Sequence, residues 1–374
     1  MKTIAVFHPS VELYGADRIL VNALKVMDEY RPIIYLPKSG PLVTFIQQEI
    51  PYTKVVICED LPIIYRAMFT PSGAVSFMKK YRRFSRFFSK ENNYYNFEIA
   101  YVNTLACSFL LRILNQQKIK SFTHVHEILE RPKIAAVITS KLAFRYSELV
   151  ISVSRAVEQN LIGKRIIRKR KSVIVHNGIL PIPDCKKQKS DKVNFYLFGR
   201  IKPEKGQWYL LDALANLPKE VLKKAKFNLV GGTLAGKEFL KTDLLTKIHE
   251  LGLTDFVNLK GFTSDISGEM AKADVCLVPS LMKDPFPTTV LEAMSAGKAV
   301  ITTNTGGAKE AILNGGMGFV IPPNRPDIFA QTIQKLILEP SLSTKVGQKA
   351  KSEFEKRFTM EQFRLRWTKM ITML

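Results

Sequence analysis

Two acidic residues and two threonines fall within one short segment of the C-terminal half of the chain. Asp284 precedes a predicted helix that begins near Thr288 and Thr289, and Glu292 lies inside that helix. The free N–H groups and the dipole at a helix start favour a bound phosphate. A carboxylate in the apolar part of a helix needs partners, such as a pair of sugar hydroxyls. The segment therefore predicts a site for a phosphorylated sugar, with a helix cap and a solvated helix face as the alternative.

A basic turn is the second candidate for chemistry. Residues 198–206 read Phe-Gly-Arg-Ile-Lys-Pro-Glu-Lys-Gly and follow an apolar run. The Arg200 guanidinium can donate two parallel hydrogen bonds to phosphate oxygens, and Lys205 adds a compact positive charge. Together they would stabilise a departing diphosphate. The alternative is a solvated basic turn without a ligand.

Short apolar, β-branched runs alternate with segments of helical spacing, and these elements must position the candidate residues. Such alternation predicts parallel sheets that are covered by helices on both faces, and ligands of such sheets bind beyond the carboxyl ends of the strands. The polar, proline-punctuated segment 181–191 is the predicted linker between two such sheets. Two of the predicted helices span 16–27 and 104–114. The predicted strands are 3–7, 32–36, 54–58, 98–102, 121–125, 149–153, 172–175, 194–198, 227–230, 257–260, 275–278, 299–302 and 318–321.

The segment 279–302 closely resembles the signature of the family 4 (group 1) glycosyltransferases of GT-B fold. That signature has two acids with seven residues between them, around Pro-Phe-Gly and running into Leu-Glu-Ala-Met. In this chain Asp284 stands where the family usually has Glu, and Pro287 where it usually has Gly. The shorter acid keeps its charge but reaches less far, and the proline removes one backbone N–H that could hold a phosphate. The resemblance covers nearly the whole chain.

The alternation of elements and the resemblance together predict an α/β fold. We expect two doubly wound, Rossmann-like domains that face each other across a cleft, as in the GT-B fold. Residues 1–182 would form the acceptor-side domain and residues 183–356 the nucleotide-sugar-binding domain. Residues 357–374 would form a C-terminal helix that packs back on the first domain.

The resemblance also implies a role for each matching residue. His126 and Asp284 are the expected catalytic residues that position the donor sugar, with His124 as the less favoured match, and Glu292 is expected to bind the ribose of the nucleotide. The other expected donor-binding residues are Gly15, Ala16, Arg200, Lys205, Phe286, Pro287, Thr288 and Thr289. Further loop positions that resemble the family are Asn103-Thr104, Ser154, Asn177-Gly178 and Gly306-Gly307.

The activity implied by the resemblance is metal-independent, retaining transfer of a sugar from a nucleotide-diphosphate-sugar donor to a glycan or lipid-linked acceptor. Bacterial cell-surface polysaccharide or lipopolysaccharide assembly is the expected setting. No Asp-x-Asp pair is present for a metal-bound diphosphate, and the glycine-rich run 231–237 is followed by Glu238 where a phosphate loop would place a magnesium-binding Ser or Thr. We expect neither a metal nor another cofactor. Two alternatives stay open: a catalytically weakened paralogue that scaffolds a membrane glycan-assembly complex, and a basic nucleic-acid-binding protein.

The charge of the chain points to an anionic partner. Lys and Arg number 56 against 33 Asp and Glu, which gives a net charge of +23. Because the basic residues are dispersed and form no recognised nucleic-acid-binding module, we expect no nucleic acid partner. The four cysteines are far apart in the sequence and no apolar run is long enough to span a membrane. These features predict a cytoplasmic protein.

The segment Ala74–Lys90 predicts contact with an anionic membrane surface. At helical spacing, its apolar stripe comprises Ala74, Phe77, Met78, Tyr81, Phe84, Phe87 and Phe88, and its cations are Lys79, Lys80, Arg82, Arg83, Arg86 and Lys90. An apolar stripe beside cations, without an acid, suits the surface of an anionic bilayer; an ordinary packed helix is the alternative. The basic run 164–171 would add a second contact. We therefore expect a peripheral location on the inner face of the plasma membrane.

Overall fold

A computed structural model describes residues 2–13, 15–163, 171–183, 190–312 and 316–374 of the chain. Contacts between residues divide the chain into two compact units. The first unit comprises Met1–Gly178 and Met360–Leu374, and the second unit comprises Ile179–Thr359. Each unit contains a parallel β-sheet with helices between its strands, as the alternation of apolar runs and helical segments predicts.

The sheet of the first unit has seven parallel strands within the described residues, in the order β3-β2-β1-β4-β5-β6-β7. The strands are β1 Lys2–Phe7, β2 Tyr30–Leu36, β3 Lys54–Ile57, β4 Ile99–Asn103, β5 Lys120–Val125, β6 Leu149–Ser152 and β7 Ser172–Ile174. The central strands are buried on both faces because helices cover both sides of the sheet. The strand order reverses between β1 and β4, and the loops after these strands therefore border a crevice.

Six helices precede the second unit in the described part of the chain. They are α1 Gly15–Lys25, α2 Pro41–Glu49, α3 Pro71–Tyr95, α4 Leu110–Gln116, α5 Lys133–Tyr146 and α6 Arg155–Ile162. The longest, α3, begins after Thr70, whose hydroxyl accepts a hydrogen bond from the Gly73 backbone N–H at 3.2 Å. It ends at Asn96, which adopts a left-handed conformation with φ 49°.

The apolar stripe of α3 packs into the core of the first unit. Phe77, Phe84 and Phe88 are buried, and the Phe88 ring lies 5.3 Å from Phe7 in β1 and 5.7 Å from Tyr35 in β2. For these three side chains the predicted membrane contact is wrong, because the sheet covers Phe84 and Phe88, and Phe77 packs on Phe109 at 5.0 Å. The other four stripe residues differ in exposure: Ala74 and Met78 are exposed, and Tyr81 and Phe87 are half-buried.

The second unit contains a six-stranded parallel sheet within the described residues, in the order β10-β9-β8-β11-β12-β13. The strands are β8 Val193–Phe198, β9 Ala225–Val230, β10 Val257–Gly261, β11 Val275–Val278, β12 Ala299–Thr303 and β13 Phe319–Ile321. The helices are α7 Gln207–Leu214, α8 Lys219–Leu222, α9 Phe239–Glu250, α10 Ile266–Lys272, α11 Thr288–Ser295, α12 Ala308–Ile312, α13 Pro326–Leu338 and α14 Pro340–Arg357. Here the order reverses between β8 and β11, which places the crevice at the ends of these two strands.

The last helix, α15 Met360–Ile371, belongs to the first unit. Its side chains Phe363, Trp367 and Met370 are buried among the apolar residues of that unit. The Trp367 ring lies 5.9 Å from Tyr101 in β4 and 6.2 Å from Phe122 in β5. Burial of these side chains removes a large apolar surface from water and so ties the end of the chain to the first sheet.

Each predicted strand coincides with an observed strand to within two residues at either end. The predicted helix 104–114 is wrong at its start, where a 3₁₀ turn, Leu105–Cys107, precedes α4. The reason is Thr104, which has φ 74° and whose hydroxyl accepts the Ala106 N–H at 3.2 Å. Of the predicted linker, 184–189 lie outside the described residues, as do 164–170 of the predicted basic run.

Candidate functional site

The loops after β8 and β11 bring the predicted phosphate-binding and acidic residues of the second unit together. These strands are neighbours in the sheet, so the turn 199–206, here called the basic turn, and the loop 279–287, here called the acid loop, leave the same edge. Lys205 Nζ lies 2.8 Å from Asp284 Oδ2, and the side chains are 31% and 14% exposed. The partly buried ion pair joins the predicted phosphate cation to the predicted sugar-binding acid.

A side-chain hydrogen bond and a close approach of the backbone hold the basic turn in place. The buried Gln207 side chain donates from Nε2 to the Arg200 carbonyl oxygen at 2.9 Å. Gly231 approaches the same turn so closely that an added Cβ would lie 1.9 Å from the Gly199 carbonyl oxygen. The glycine-rich run 231–237, whose first residue is Gly231, therefore has a structural reason for that glycine other than phosphate binding. The Arg200 side chain itself is exposed.

The basic turn and the acid loop are also attached to each other. The Leu281 backbone N–H donates to the Glu204 carbonyl oxygen at 2.9 Å. Gly206, with φ 87°, passes so close to the acid loop that a Cβ would lie 2.1 Å from the Pro279 carbonyl oxygen. Only glycine fits this approach and this backbone conformation without strain, so the spacing of Lys205 and Asp284 is set by the backbone.

A glycine pair after β12 supports Asp284 from the other side. The Gly307 N–H donates to the Asp284 carbonyl oxygen at 2.8 Å. Gly306 has φ 59°, and a Cβ on it would lie 2.1 Å from the same oxygen. The structure thus places Gly306-Gly307, which resemble a family loop, directly against the acid loop.

The helix α11 begins beside Asp284, as the phosphate prediction requires. Pro287 is its N-cap residue, and no side chain of the described residues caps this helix end. Thr288 and Thr289, in the first turn, are half-buried, and the N–H groups of a helix start are oriented to meet an anion. Glu292 is also half-buried; its carboxylate is close enough that, after burial, it is the next cause of the raised pKa of the Cys276 thiol in β11.

Phe286 differs from the other predicted donor-binding residues. Its side chain is 5% exposed, and its ring lies 5.8 Å from the Phe358 ring. The structure therefore places Phe286 in the interior of the second unit, where it supports the acid loop by packing. Its place beside a proline in the sequence carries no sign of this burial.

In the first unit, polar side chains form a hydrogen-bonded chain across the ends of β1, β4 and β5. Asp17 Oδ1 lies 2.7 Å from His8 Nε2, and His8 Nδ1 lies 2.8 Å from Asn103 Nδ2. Asn103 Oδ1 lies 2.9 Å from His126 Nε2. These four residues, here called the histidine chain, meet where the strand order reverses, which is the expected ligand-binding position of such a sheet.

The donors and acceptors of the histidine chain follow from the chemistry of its groups. The Asn103 amide nitrogen can only donate, so His8 Nδ1 accepts and the His8 proton lies on Nε2, where it is donated to the Asp17 carboxylate. The Asn103 amide oxygen can only accept, so His126 donates from Nε2. Burial lowers the pKa of His126 to about 3. His126 is therefore neutral, with an unprotonated Nδ1 that can accept a hydrogen bond.

His124 lies next to this chain but deeper in the first unit. It is fully buried, its Nδ1 lies 2.8 Å from the Tyr101 hydroxyl, and its ring lies 5.0 Å from Trp367. Burial lowers the pKa of His124 well below the usual value. Of the two histidines, His126 is the half-buried one at the end of the strand, and it is the one placed in the histidine chain.

Asp17, directly after the predicted residues at the start of α1, is a site residue that was not predicted from the sequence. Gly15 and Ala16 form the first turn of α1 and are exposed and half-buried, whereas Asp17 turns inward and is 2% exposed. His8 was not selected either. Two signals were available: a histidine directly after an apolar strand, and an acid on the apolar face of a helix. In the described part of the chain, no three His, Cys, Asp or Glu side chains gather closely enough to hold a metal ion.

Comparison with known proteins gives a family match in the second unit. Residues 183–353 match the family model for "Glycosyl transferases group 1". An uncharacterized glycosyltransferase of Methanocaldococcus jannaschii is 27% identical over 223 residues, which cover 59% of this chain and 58% of that protein. A lipopolysaccharide 1,2-N-acetylglucosaminetransferase of Salmonella typhimurium is 30% identical over 169 residues, 44% of each chain. The chain thus spans about half the length of these curated relatives.

Solved structures match the chain over its full length. The crystal structure of HepE from Anabaena in complex with UDP-glucose has a TM-score of 0.82 at 24% identity and covers 100% of both chains. The structure of WaaG, a glycosyltransferase involved in lipopolysaccharide biosynthesis, has a TM-score of 0.71 at 14% identity. At these identities the likeness establishes the fold: two Rossmann-like domains with parallel sheets, as in GT-B glycosyltransferases.

Proposed function

We propose that the chain is a group 1 glycosyl transferase, whose family model matches residues 183–353, and that it transfers a sugar from a nucleotide-diphosphate-sugar donor to an acceptor with retention. The observation that carries the proposal is the 2.8 Å pair of Lys205 Nζ and Asp284 Oδ2 beside the start of α11. A cation, a carboxylate and helix-start N–H groups share one end of the sheet there, and a diphosphate joined to a sugar needs all three.

The proposed donor is a UDP-sugar. The Anabaena protein of the same fold is described as a complex with UDP-glucose, which supports this choice. In the proposed reaction the bond between the sugar carbon and the diphosphate oxygen breaks, the acceptor hydroxyl oxygen bonds to the same face of that carbon, and the hydroxyl proton leaves with the diphosphate. Arg200 and Lys205 stabilise the charge that develops on the diphosphate. Asp284 accepts hydrogen bonds from hydroxyls of the sugar, and Glu292 accepts them from the ribose.

The proposed role of His126 is to hold a hydroxyl of the donor sugar. Its unprotonated Nδ1 is an acceptor, and its Nε2 proton is already donated to Asn103. A neutral acceptor of this kind orients a hydroxyl without adding a charge. Asp17 and His8 keep the ring in this protonation state, because each fixes the proton of the next group along the chain.

A donor panel with two lysine variants tests the proposal. Transfer and hydrolysis of UDP-, GDP- and dTDP-sugars are measured for the wild type, Lys205→Ala and Lys202→Ala. Lys202 is the matched control, since it lies in the same turn, is exposed and pairs with Glu204 at 3.3 Å. Loss of Lys205 should slow transfer about 100- to 1,000-fold, and loss of Lys202 should change it little. If no donor sugar is turned over by the wild type, the scaffolding paralogue becomes the better explanation.

The proposed setting is the assembly of a bacterial cell-surface glycan with a glycan or lipid-linked acceptor. Support comes from two relatives, the Salmonella lipopolysaccharide N-acetylglucosaminetransferase and a putative glycosyltransferase, EpsD, of Bacillus subtilis that is 30% identical over 167 residues. We propose a cytoplasmic protein that binds the inner face of the plasma membrane peripherally. None of the described helices combines the length and the apolar character needed to cross a bilayer.

The proposed membrane contact is the basic face of α3 rather than its apolar stripe. Lys79, Arg82, Arg86 and Lys90 are exposed, whereas Arg83 is held in a two-pronged ion pair with Asp60 at 2.6 and 2.8 Å. Each cation near an anionic surface contributes about 1 kcal/mol, so these four side chains are sufficient for reversible docking.

Co-sedimentation with phosphatidylglycerol vesicles, compared with neutral vesicles, tests the membrane contact. The triple variant Lys79→Gln, Arg82→Gln, Arg86→Gln should lose most of its binding at low salt. The triple variant Lys345→Gln, Lys349→Gln, Lys356→Gln removes the same charge from exposed positions of α14 and should keep it. Equal losses in the two variants would show that only net charge matters and would remove α3 as the docking surface.

A further inference from the structure

The first unit contains a cavity beside the histidine chain. This cavity has no part in the proposed donor site. It has a volume of about 230 Å³ and lies between the 3₁₀ turn Arg66–Phe69, the turn Leu105–Cys107 and the first half of α5. We call it the α5 pocket. Its walls are largely apolar, with Ile64 and Phe69 on one side and Ala135 on the other.

The ionisable acid and base groups of the α5 pocket are two arginines and one carboxyl group, and Tyr65 and Thr139 add hydroxyl groups. The side chains of Arg66 and Arg131 line it and are exposed, and neither makes an ion pair with a residue of the described ranges. Such guanidinium groups can bind a phosphate through two parallel hydrogen bonds. An apolar wall combined with two cations favours a ligand that has an anionic part and an apolar part.

The carboxyl group belongs to Glu127, which follows His126 directly. Its Oε2 accepts the His126 backbone N–H at 2.9 Å, and its Oε1 accepts the Leu105 backbone N–H at 2.5 Å. Burial raises the pKa of Glu127 to about 7, although these backbone N–H groups act in the opposite direction. A carboxyl group near half-protonation can both accept from and donate to a hydroxyl group. The backbone therefore connects the α5 pocket to the residue proposed to hold the donor sugar.

Apolar side chains around the pocket are exposed to solvent. Tyr65 and Phe69, which line it, are 40% and 44% exposed, and Ile134 and Ile138, one turn apart on α5, are 67% and 36% exposed. A cavity of this size is smaller than the roughly 300–1,000 Å³ of pockets that enclose a drug-sized ligand. It can therefore enclose a head group, while an attached apolar chain would lie on the exposed side chains outside.

From this arrangement we infer that the α5 pocket binds the acceptor, and that the acceptor is an amphipathic lipid phosphate. Its hydroxyl-bearing head group contacts Glu127, its phosphate contacts Arg66 and Arg131, and its apolar chain lies over Tyr65 and Phe69. The name acceptor rests on the proposed transferase function; the binding of a lipid phosphate by this pocket does not.

Calorimetric titration with farnesyl phosphate, farnesol and inorganic phosphate tests the inference on the full chain. Farnesyl phosphate should bind at least about tenfold more tightly than either part alone, because each part makes only some of the contacts. If farnesol binds as tightly, the two arginines do not recognise a phosphate. If inorganic phosphate binds as tightly, the ligand is a soluble phosphate and not a lipid. No binding of farnesyl phosphate would also overturn the inference.

Two pairs of variants locate the binding. Ala135→Phe fills the cavity and should abolish farnesyl phosphate binding, whereas Ala135→Ser preserves its volume and should retain it. The double variant Arg66→Gln, Arg131→Gln should weaken binding at least about tenfold, whereas Arg145→Gln, at the far end of α5, should not. Thermal unfolding of each variant checks that the fold survives, and binding that is unchanged in both pocket variants would place the ligand elsewhere.

Binding of the UDP-sugar donor is measured on the same proteins. We expect it to be unchanged by the pocket variants, since the proposed donor residues of the second unit are untouched. Failure of the wild type to bind any donor would overturn the proposed function but leave the lipid phosphate result intact. Donor turnover without lipid phosphate binding would overturn only this inference.

Discussion

The candidate residues at the ends of the two sheets are held in different ways. In the first unit, the Asp17 carboxylate is the one charged group of the histidine chain. His8, Asp17 and Asn103 are almost completely buried. In the second unit, Lys205 and Asp284 are both charged and partly exposed, and glycines and backbone hydrogen bonds hold their loops. The first site depends on the fixed protonation of its side chains, and the second on the course of its backbone.

This difference follows from what each site must do in the proposed reaction. A buried polar group is expensive to leave without a partner, so the histidine chain has a single arrangement of protons and presents an acceptor of fixed direction. A partly exposed lysine can exchange a carboxylate for a phosphate, because water screens both states. In this protein the groups that fix the orientation of His126 are therefore buried, whereas the charge-stabilising groups are partly exposed.

The largest expected effect is that of Asp284→Asn, which removes a charge but almost no volume. Sugar transfer should slow about 100-fold or more, while the free energy of unfolding changes by no more than about 1 kcal/mol because partly exposed pairs contribute little to stability. Steady-state kinetics and denaturant unfolding measure the two quantities. The control is Asp327→Asn, whose exposed ion pair with Arg325 lies outside the site. A large loss of stability with unchanged transfer would reverse the comparison.

In the first unit we expect the opposite for Asp17→Ala, whose main effect should be on the free energy of unfolding. The variant leaves the buried His8 N–H without its acceptor, which should lower the free energy of unfolding by about 1–3 kcal/mol. Asp28→Ala is the control, because Asp28 forms an exposed pair with Arg364 at 3.0 Å and its loss should cost no more than about 1 kcal/mol. Asp17→Asn retains an acceptor and should recover part of the stability. Equal values for Asp17→Ala and Asp28→Ala would mean that the histidine chain does not stabilise the unit.

The stability of the first unit should fall in acid. Between pH 6.5 and 4.5, unfolding allows His124 and His126 to take up protons, since burial lowers the pKa of both, whereas Glu127 releases one, since burial raises its pKa to about 7. The net uptake of one proton lowers the free energy of unfolding by about 1.4 kcal/mol per pH unit as the pH falls. Below pH 4.5 the unfolded Glu127 is protonated too, so the slope should steepen until His126 titrates near pH 3.

Urea unfolding of His126→Gln across the same pH range isolates one of these groups. The variant lacks one titrating proton, so its slope should be shallower than that of the wild type by about 1.4 kcal/mol per pH unit. His249→Gln, in α9 of the second unit, is the matched control. Identical slopes for the wild type and His126→Gln would show that His126 titrates normally in the folded protein.

The smallest expected effect is that of salt. Raising the ionic strength from 50 to 500 mM should weaken UDP binding several-fold but less than about tenfold, because only partly exposed charges are screened. The stability difference between Asp17→Ala and the wild type should not change, since buried groups are screened much less. Calorimetric titration of UDP and urea unfolding at the two salt concentrations check both statements. A salt-dependent Asp17 effect would indicate that water reaches the histidine chain.

The strands and the class of the sheets can be read from the sequence alone. Apolar, β-branched runs separated by turn residues are a local pattern, and each predicted strand is found within two residues of its predicted ends. The sequence also indicates that Lys205 and Asp284 lie on one edge of a sheet, because both follow strands whose carboxyl ends share that edge in any parallel arrangement. The start of α4 could not be predicted in the same way, since it depends on the left-handed conformation of Thr104.

What covers each apolar face, and which distant polar groups meet, depends on how the elements pack in three dimensions. Helical spacing shows that α3 has an apolar stripe, but the rings of Phe7 and Tyr35, which are distant in the sequence, bury Phe84 and Phe88 of that stripe, whereas Met78 stays exposed. The same holds for Phe286, which is buried against Phe358. His8 and Asn103 lie 95 positions apart in the sequence but are hydrogen-bonded. Their contact depends on β1 and β4 being neighbours in the sheet. The physical reason is that periodicity reports the surroundings of a residue along its own element, whereas burial and hydrogen bonding depend on elements that the topology brings together.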